Sequence, residues 1–421
     1  MDRKKKKLAA GKTAAALEQQ RKAMKARFIE RTTEIIKLIG GNDLLKKFPT
    51  IFIDKLYECR YPSPKAKAAP DTEIPKTRIA QFHKLLHQLM EGEEILLPNG
   101  NKMLMTWYLS EGQTLIDAIG ELDAGEDARL AEIKAAFVPY QQDSKLYDQV
   151  QELMVDLVVD TCRLLSDCGD HIYRGDLSMT PYFAPFNPSN DIIVHAFKPV
   201  FEKIQTKKGI REGIKLGWPD ADFKWAYFKV KPSALGFKVS GLDVPLDLYI
   251  GKHVLQRLKE RINISPGIMH EILLYTFLQK KIPHHFTGHE SQVDYLVADQ
   301  KVGYLTVKLH EDKLFVNTFL FLVNNDTPEG DKLNRLLNIE KIDKKYLEID
   351  TLPDFNAYHI DRNEKLSQLF KDAGCGSLLK LNHLQAFTVN EVADKDPESI
   401  LKYLADAPYF RKSGEQETSL E

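Results

Sequence analysis

Cysteine is scarce in this sequence. Cys59, Cys162, Cys168 and Cys375 are the only four in 421 residues, too few and too scattered for a disulfide framework in a chain of this length. Cys162 and Cys168 stand at a spacing that a helix does not bring into one stripe and that matches no common zinc knuckle, so buried free thiols are expected. Long apolar runs are missing as well. No stretch reaches the roughly 20 residues that span a bilayer, and none follows the basic N-terminus at the length of a signal-peptide core. The expectation is a cytoplasmic protein with no membrane partner. Net charge is nearly absent, with 59 basic residues against 60 acidic ones. There is no internal repeat and no phosphate-binding loop, because Gly11, Lys12 and Thr13 lack the upstream glycine and preceding strand.

What is present starts with 43% hydrophobic residues, enough to fill real cores and to exclude wholesale disorder. The near-neutral charge hides an asymmetry. Between Met1 and Arg31, eleven Lys and Arg face Asp2, Glu18 and Glu30, a balance of +8 that a polyanion would feel. Residues 12–38 read as an amphipathic helix ended by Gly40 and Gly41. Lys4, Lys5, Lys6, Lys7, Arg21 and Lys25 are the candidate nucleic-acid contacts there, against the plainer reading of a solubilising helix. Pro62, Pro64, Pro70 and Pro75 then mark an exposed connector without regular structure, so residues 1–75 form a basic arm and linker.

Residues 76–180 read as a helical domain. His83 and His87 fall one turn apart, but no Asp, Glu or Cys stands at matching spacing, which favours two ordinary histidines over a metal pair. The segment SKLYDQVQELMVDLVVDTCRLLSD is the strongest helix and offers a surface for a homodimer. Its Glu152, Asp156 and Asp160 share a face, and no Glu-x-x-His answers them, so a solvated face is expected rather than a di-metal site. Tyr182, Phe183 and Phe186 interleave with Pro181, Pro185 and Pro188 in an aromatic-anchored linker, where the main boundary is placed.

Residues 191–340 read as an α+β domain. IIVHAF leads into a helix ending near Gly217; FKWAYFKV, GFKVSG and VPLDLYI are strands; two helices follow; and VDYLVAD, VGYLTVKLH and KLFVNTFLFLV close an antiparallel sheet as a meander. Lys224 and Lys229 are candidate phosphate contacts among these strands, although an exposed sheet alternates in the same way. A helix is expected from about Asp331. Residues 341–410 form a helical appendage that covers the domain or caps its edge strand, and 411–421 a disordered tail. The fold class is therefore multidomain α+β.

The candidate site is HVLQRLKER. Residues four apart on a helix lie above one another, so His253, Arg257 and Arg261 form a ridge, and three cation-forming groups in a column invite an anion. Phosphodiester cleavage needs proton transfer, which an imidazole supplies near neutral pH, and cations on the phosphoryl oxygens, which guanidiniums supply as a fixed fork. RNA brings its own nucleophile in the 2′-hydroxyl, so neither a metal nor another cofactor is needed. Tyr304, Thr306, His310, Asn317 and Thr318 are further polar groups on the meander. Glu260 and Glu271 are the acids that would neutralise the arginines. In HHFTGHE, His284, His285, His289 and Glu290 read as a loop, either metal-capturing or simply polar.

LYIGKHVLQRLKERINI followed by GYLTVKLHEDKLFVNTFLFLVNNDTPEG resembles the metal-independent ribonuclease toxins of the barnase, colicin and mRNA-interferase superfamily. The resemblance covers residues 247–330. It implies that His253, Arg257 and Arg261 line an active face with Thr318 on a central strand opposite, and that the activity is RNA cleavage. The departures are an unusually apolar strand pair and a motif set mid-chain. Two other readings stay open: a nucleic-acid-binding protein that uses the same ridge without cutting, and a structural or adaptor protein whose site is degenerate.

Overall fold

The computed structural model describes residues 2–141, 145–180, 189–207, 209–238, 241 and 243–411, and side chains within that set except at 2–15, 50, 179–180 and 386–387. The fold is α+β. The chain divides into two units, one of residues 1–162 and 174–196, the other of residues 163–173 and 197–421. The aromatic linker Pro181–Pro188 and the tail 412–421 lie outside the described residues.

In the first unit, α1 (Asp2–Lys47) is broken at Gly40 and Gly41, where Gly41 takes a left-handed φ of 69°, as the paired glycines predict. Phe28, Ile35 and Ile36 are buried, and half-buried Arg31 reaches buried Glu111 at 3.5 Å. After α2 (Thr50–Leu56) the proline segment contains a strand, β1 (Lys65–Ala68), which pairs in parallel with a later strand. This corrects the expectation of an irregular connector. The four residues between Pro64 and Pro70 that carry the strand keep their N–H donors, and prolines at the flanks do not interrupt a ladder.

α3 (Lys76–Met90), the hairpin β2 (Glu94–Leu96) and β3 (Lys102–Leu104), α4 (Met105–Trp107), α5 (Gln113–Gly120), α6 (Ala128–Phe137) and α7 (Lys145–Leu165) follow. α7 turns Leu146, Val150, Met154, Leu157, Val158, Thr161 and Cys162 inward and leaves Val155 and Val159 exposed. β4 (Ile172–Thr180) and β5 (Ser189–Phe197) complete a small sheet in the order β1-β5-β4.

The second unit is built on an eight-stranded sheet. Its early strands are β6 (Val200–Thr206) and β7 (Gly209–Lys215), a hairpin that replaces the helix expected before Gly217. Gly209 supplies a φ of 106° at the turn, a conformation that glycine adopts without steric cost. A separate hairpin, β8 (Gly217–Pro219) with β9 (Trp225–Tyr227), precedes the short β10 (Lys229–Val230). Gly236–Lys238 is not strand; there Gly236 takes a left-handed φ of 82° behind a 3-10 turn.

β11 (Leu246–Gly251) runs into α8 (Lys252–Ile262), followed by α9 (Pro266–Leu278), β12 (His284–Phe286), β13 (Ser291–Val297), β14 (Gln300–His310) and β15 (Lys313–Phe321). The order is β12-β13-β14-β15-β11-β7-β6, with β10 on β11. The meander is antiparallel as expected, but β11 and β15 are parallel, which makes the sheet mixed. Helices intervene between these two strands, and a parallel pair needs such a crossover.

Alternation along the strands separates two faces. Leu248, Ile250, Leu314, Val316 and Ile214 join the large core, together with α8 and α9. Ile204, Tyr249 and Phe315, on the opposite face, form a small cluster of their own. α10 (Pro328–Leu337) begins three residues before the expected Asp331. Thr327 caps it by accepting from the Gly330 N–H at 2.9 Å, and Pro suits the first helical position. After α11 (Lys341–Tyr346), the segment before α12 adds Ile349 to the large core, and α12 (Leu352–Ala357), α13 (Glu364–Ala373) and α14 (Pro397–Tyr403) add Phe355, Leu369, Phe370 and Ile400.

Candidate functional site

The site is made where β11 stops and α8 starts. Leu258, Val254 and Ile262 pin α8 into the core, so the helix face that carries His253 and Arg257 is turned outward. β15 passes beside it and is irregular at that point. Thr306 pairs with Thr318 and Val307 with Val316, which leaves Asn317 as the extra residue of a bulge. A bulge re-aims side chains that alternation would send to opposite faces, and here Asn317 and Thr318 serve one pocket. The pairing of β15 with β11 ends at Val316, so the Asn317 carbonyl is left to accept from elsewhere.

Three side chains take up what this bulge offers. His253 donates through Nε2 to the Asn317 carbonyl. Arg257 donates to the Thr318 hydroxyl. Arg211, on β7, donates to Asn317 Oδ1 at 3.1 Å. Arg211, His253, Arg257, Asn317 and Thr318 together line an open pocket of about 370 Å³.

The His253 ring occupies the space above Gly251. A Cβ at that position would stand 2.8 Å from its Cε1, 3.0 Å from its Nδ1 and 3.2 Å from Phe315. Gly251 is therefore part of the site because it has no side chain. Because Nε2 carries the proton given to Asn317, Nδ1 is the basic nitrogen of the neutral ring. Partial burial, and then the fields of Arg211 and Arg257, hold the imidazole below its ordinary value, while the bond to the Asn317 carbonyl works the other way. His310 lies on the same face of the sheet, its ring 6.2 Å from that of Phe315. It too is held low, by burial and by Lys308, Arg211 and Lys207.

The surrounding acids are taken by other cations. Glu212 pairs with Lys252 at 2.6 Å, Glu202 with Lys313 at 3.0 Å, Asp247 with Lys215 at 2.8 Å, and Glu290 with Lys308 at 3.1 Å. Glu260 accepts from Gln256 at 2.7 Å, and Glu271 pairs with Arg163, so neither neutralises Arg257. Among the described residues, no ion pair holds Arg211 or Arg257. The fork of each guanidinium keeps its charge for an incoming anion.

Arg261 does not join them. It is half-buried and pairs with Asp350, both to its carboxylate and to its main-chain carbonyl. The three-membered ridge expected on α8 is thus two groups facing the pocket and one tied to the segment before α12. Arg211, which replaces it, escapes a reading of the sequence because its segment reads as helix and no spacing rule connects β7 to α8.

The other singled-out residues are dispersed. Thr306 is buried, and Tyr304 lines a different pocket. Lys229 shares Asp247 with Lys215 at 3.7 Å, Lys25 pairs with Asp54 at 2.8 Å, and Lys224 and Arg21 are exposed. The side chains of Lys4, Lys5, Lys6 and Lys7 lie outside what is described. His83 and His87 touch ring to ring at 4.4 Å. His284 and His285 stand on β12 rather than in a loop. Among the described residues, no group of three or more His, Cys, Asp or Glu is placed to hold a metal ion. Cys162, Cys168 and Cys375 are buried thiols in no disulfide, as expected, and burial pushes each up to about 12. Among the described residues, no helix is long and apolar enough to cross a membrane.

No family model, no curated protein and no solved structure matches this chain.

Proposed function

We propose that the pocket of Arg211, His253 and Arg257 binds a phosphodiester of RNA and promotes its cleavage, the 2′-hydroxyl acting as nucleophile. The observation that carries this reading is that two guanidiniums and an imidazole converge with only neutral partners, the carbonyl, amide and hydroxyl of Asn317 and Thr318. His253, neutral near pH 7 with Nδ1 free of its proton, takes the 2′-hydroxyl proton; the 2′-oxygen bonds to phosphorus as the P–O5′ bond breaks, giving a 2′,3′-cyclic phosphate, and the leaving 5′-oxygen takes its proton from water. Arg211 and Arg257 approach the two non-bridging oxygens from β7 and α8 and stabilise the charge that grows there. The likeness to metal-independent ribonuclease toxins supports the same chemistry.

Binding without cleavage is the second reading. It draws on the fact that His253 is the one proton-transfer group among the pocket's lining residues. A short single-stranded RNA and its counterpart with a 2′-deoxyribose at each position separate the two, assayed with chelator present. Cleavage of the RNA alone, lost in His253→Ala, supports the nuclease. Equal, salt-sensitive binding of both strands without scission leaves a binding site. No binding of either removes both readings.

A further inference from the structure

A second pocket, of about 600 Å³, lies at the β12 end of the same sheet, within the size range that small-molecule ligands occupy. None of its lining residues belongs to the Arg211–His253–Arg257 site. One wall is Tyr304, whose hydroxyl bonds Glu329 at 2.9 and 3.0 Å and Lys301 at 2.9 Å, while Lys301 and Glu329 pair at 2.7 Å. That network balances its own charges and fixes the tyrosine in place.

Across from Tyr304, at the paired position on β13, is Asp294. Its carboxylate is half-buried and has no hydrogen bond or ion pair among the described residues; burial, and after it the field of Glu329, raises it above the ordinary carboxylate range, against the opposing fields of Lys301 and His284. The carboxylate therefore reaches the pocket with its hydrogen-bonding capacity unused by the protein, and a donor on a ligand can take it up. Lys280 and Lys281, exposed after the end of α9, line the same pocket and have no acid partner among the described residues. Two ammonium groups at one side disfavour a polycation, and a ligand that brings both an ammonium group for Asp294 and an anion for the lysines complements the pocket best.

We propose that this pocket binds a small zwitterion, an amino acid whose ammonium group meets Asp294 and whose carboxylate is held by Lys280 and Lys281. The site is independent of RNA chemistry. The test is calorimetric titration of the intact chain with the twenty standard amino acids and with unbranched ω-amino acids of two to six carbons, using butylamine and butyrate as single-ended controls.

At least one zwitterion should bind saturably, with both single-ended controls at least tenfold weaker. Asp294→Asn should lose tenfold or more in affinity, and Lys280→Ala with Lys281→Ala should weaken binding and flatten its salt dependence. Asp294→Asn should also unfold at the same temperature as the parent or higher, because it removes an unpaired charge, so lost binding is not lost folding. His253→Ala should bind the zwitterion as the parent does. The proposal is overturned by no zwitterion binding at millimolar concentration, by single-ended compounds binding equally well, or by an affinity that Asp294→Asn leaves unchanged.

Discussion

A guanidinium bonded to a hydroxyl or an amide oxygen keeps a charge that one bonded to a carboxylate has already used. Arg257 and Arg211 are of the first kind and Arg261 is of the second, so their replacement by alanine should read out differently. If the pocket cleaves RNA, Arg211→Ala and Arg257→Ala should each lower single-turnover cleavage by about 10²-fold. Arg261→Ala should leave cleavage within a fewfold and instead destabilise the fold by about 1–3 kcal/mol in denaturant titration. Equal loss of cleavage in all three would restore the helical ridge as the working unit. His253 titrates below the ordinary imidazole value, so the acidic limb of the pH–rate profile should fall below pH 6.5 and move upward in Arg211→Ala.

His270 sets a separate pH dependence. It is fully buried on α9, and burial pushes it down to about 4 from 6.5. The unfolded chain therefore takes up a proton before the folded one does. Stability is full above pH 6.5 and is lost as pH falls towards 4, by about 3 kcal/mol across the window. Urea midpoints measured from pH 7 to pH 4 should show this slope in the parent and a flatter one in His270→Gln. A parent whose midpoint does not move in that range contradicts the assignment.

Among elements, the junction of β11 and α8 matters most, because a missing side chain makes room for a ring. Gly251→Ala should let α8 form, since its φ of -72° suits any residue, yet push the His253 ring from its place. Cleavage should then fall by about 10–10² with little change in unfolding midpoint. An unaffected rate would mean that the ring relocates without cost.

The sequence displays this junction only in part. The four-residue spacing of His253, Arg257 and Arg261 is legible as one stripe, and the apolar positions of α8 predict which side it buries. What spacing cannot display is partner choice. Asp350 is nearly ninety positions away and claims Arg261, while a bulge at Asn317 depends on the register of two strands. The β6–β7 hairpin is hidden because KIQTKKGIREGIK offers too few apolar residues to fix a period, and Arg211 is hidden with it. The meander is legible, since three runs rich in branched and aromatic residues, each seven residues or longer, are separated by turns at Asp299 and Glu311.

At the scale of the molecule, a nearly neutral chain places its excess of cations at one end. If that arm assists the proposed RNA binding, removing residues 2–15 should flatten the dependence of log affinity on log salt, by about 0.7 for each phosphate of single-stranded RNA that the arm no longer neutralises. The fold should survive, because the first buried side chain of α1 among the described residues is Phe28. Cutting as far as Arg31 instead would strip Phe28 and the partner of Glu111, and confuse affinity with unfolding. An unchanged slope in the shorter truncation assigns the arm no part in binding.

The first unit is discontinuous along the chain, residues 163–173 belonging to the second before the path returns. No single cut can therefore release it whole. A fragment stopping at Cys162 would carry β1 with its neighbour β5 gone, leaving the main-chain donors and acceptors of Lys65–Ala68 open to water. Ribosomal synthesis meets the same geometry: that ladder has to wait until residue 194 has emerged, by which time the whole of α7 is already outside. Dissection of this protein should therefore leave the chain intact and silence each site by substitution.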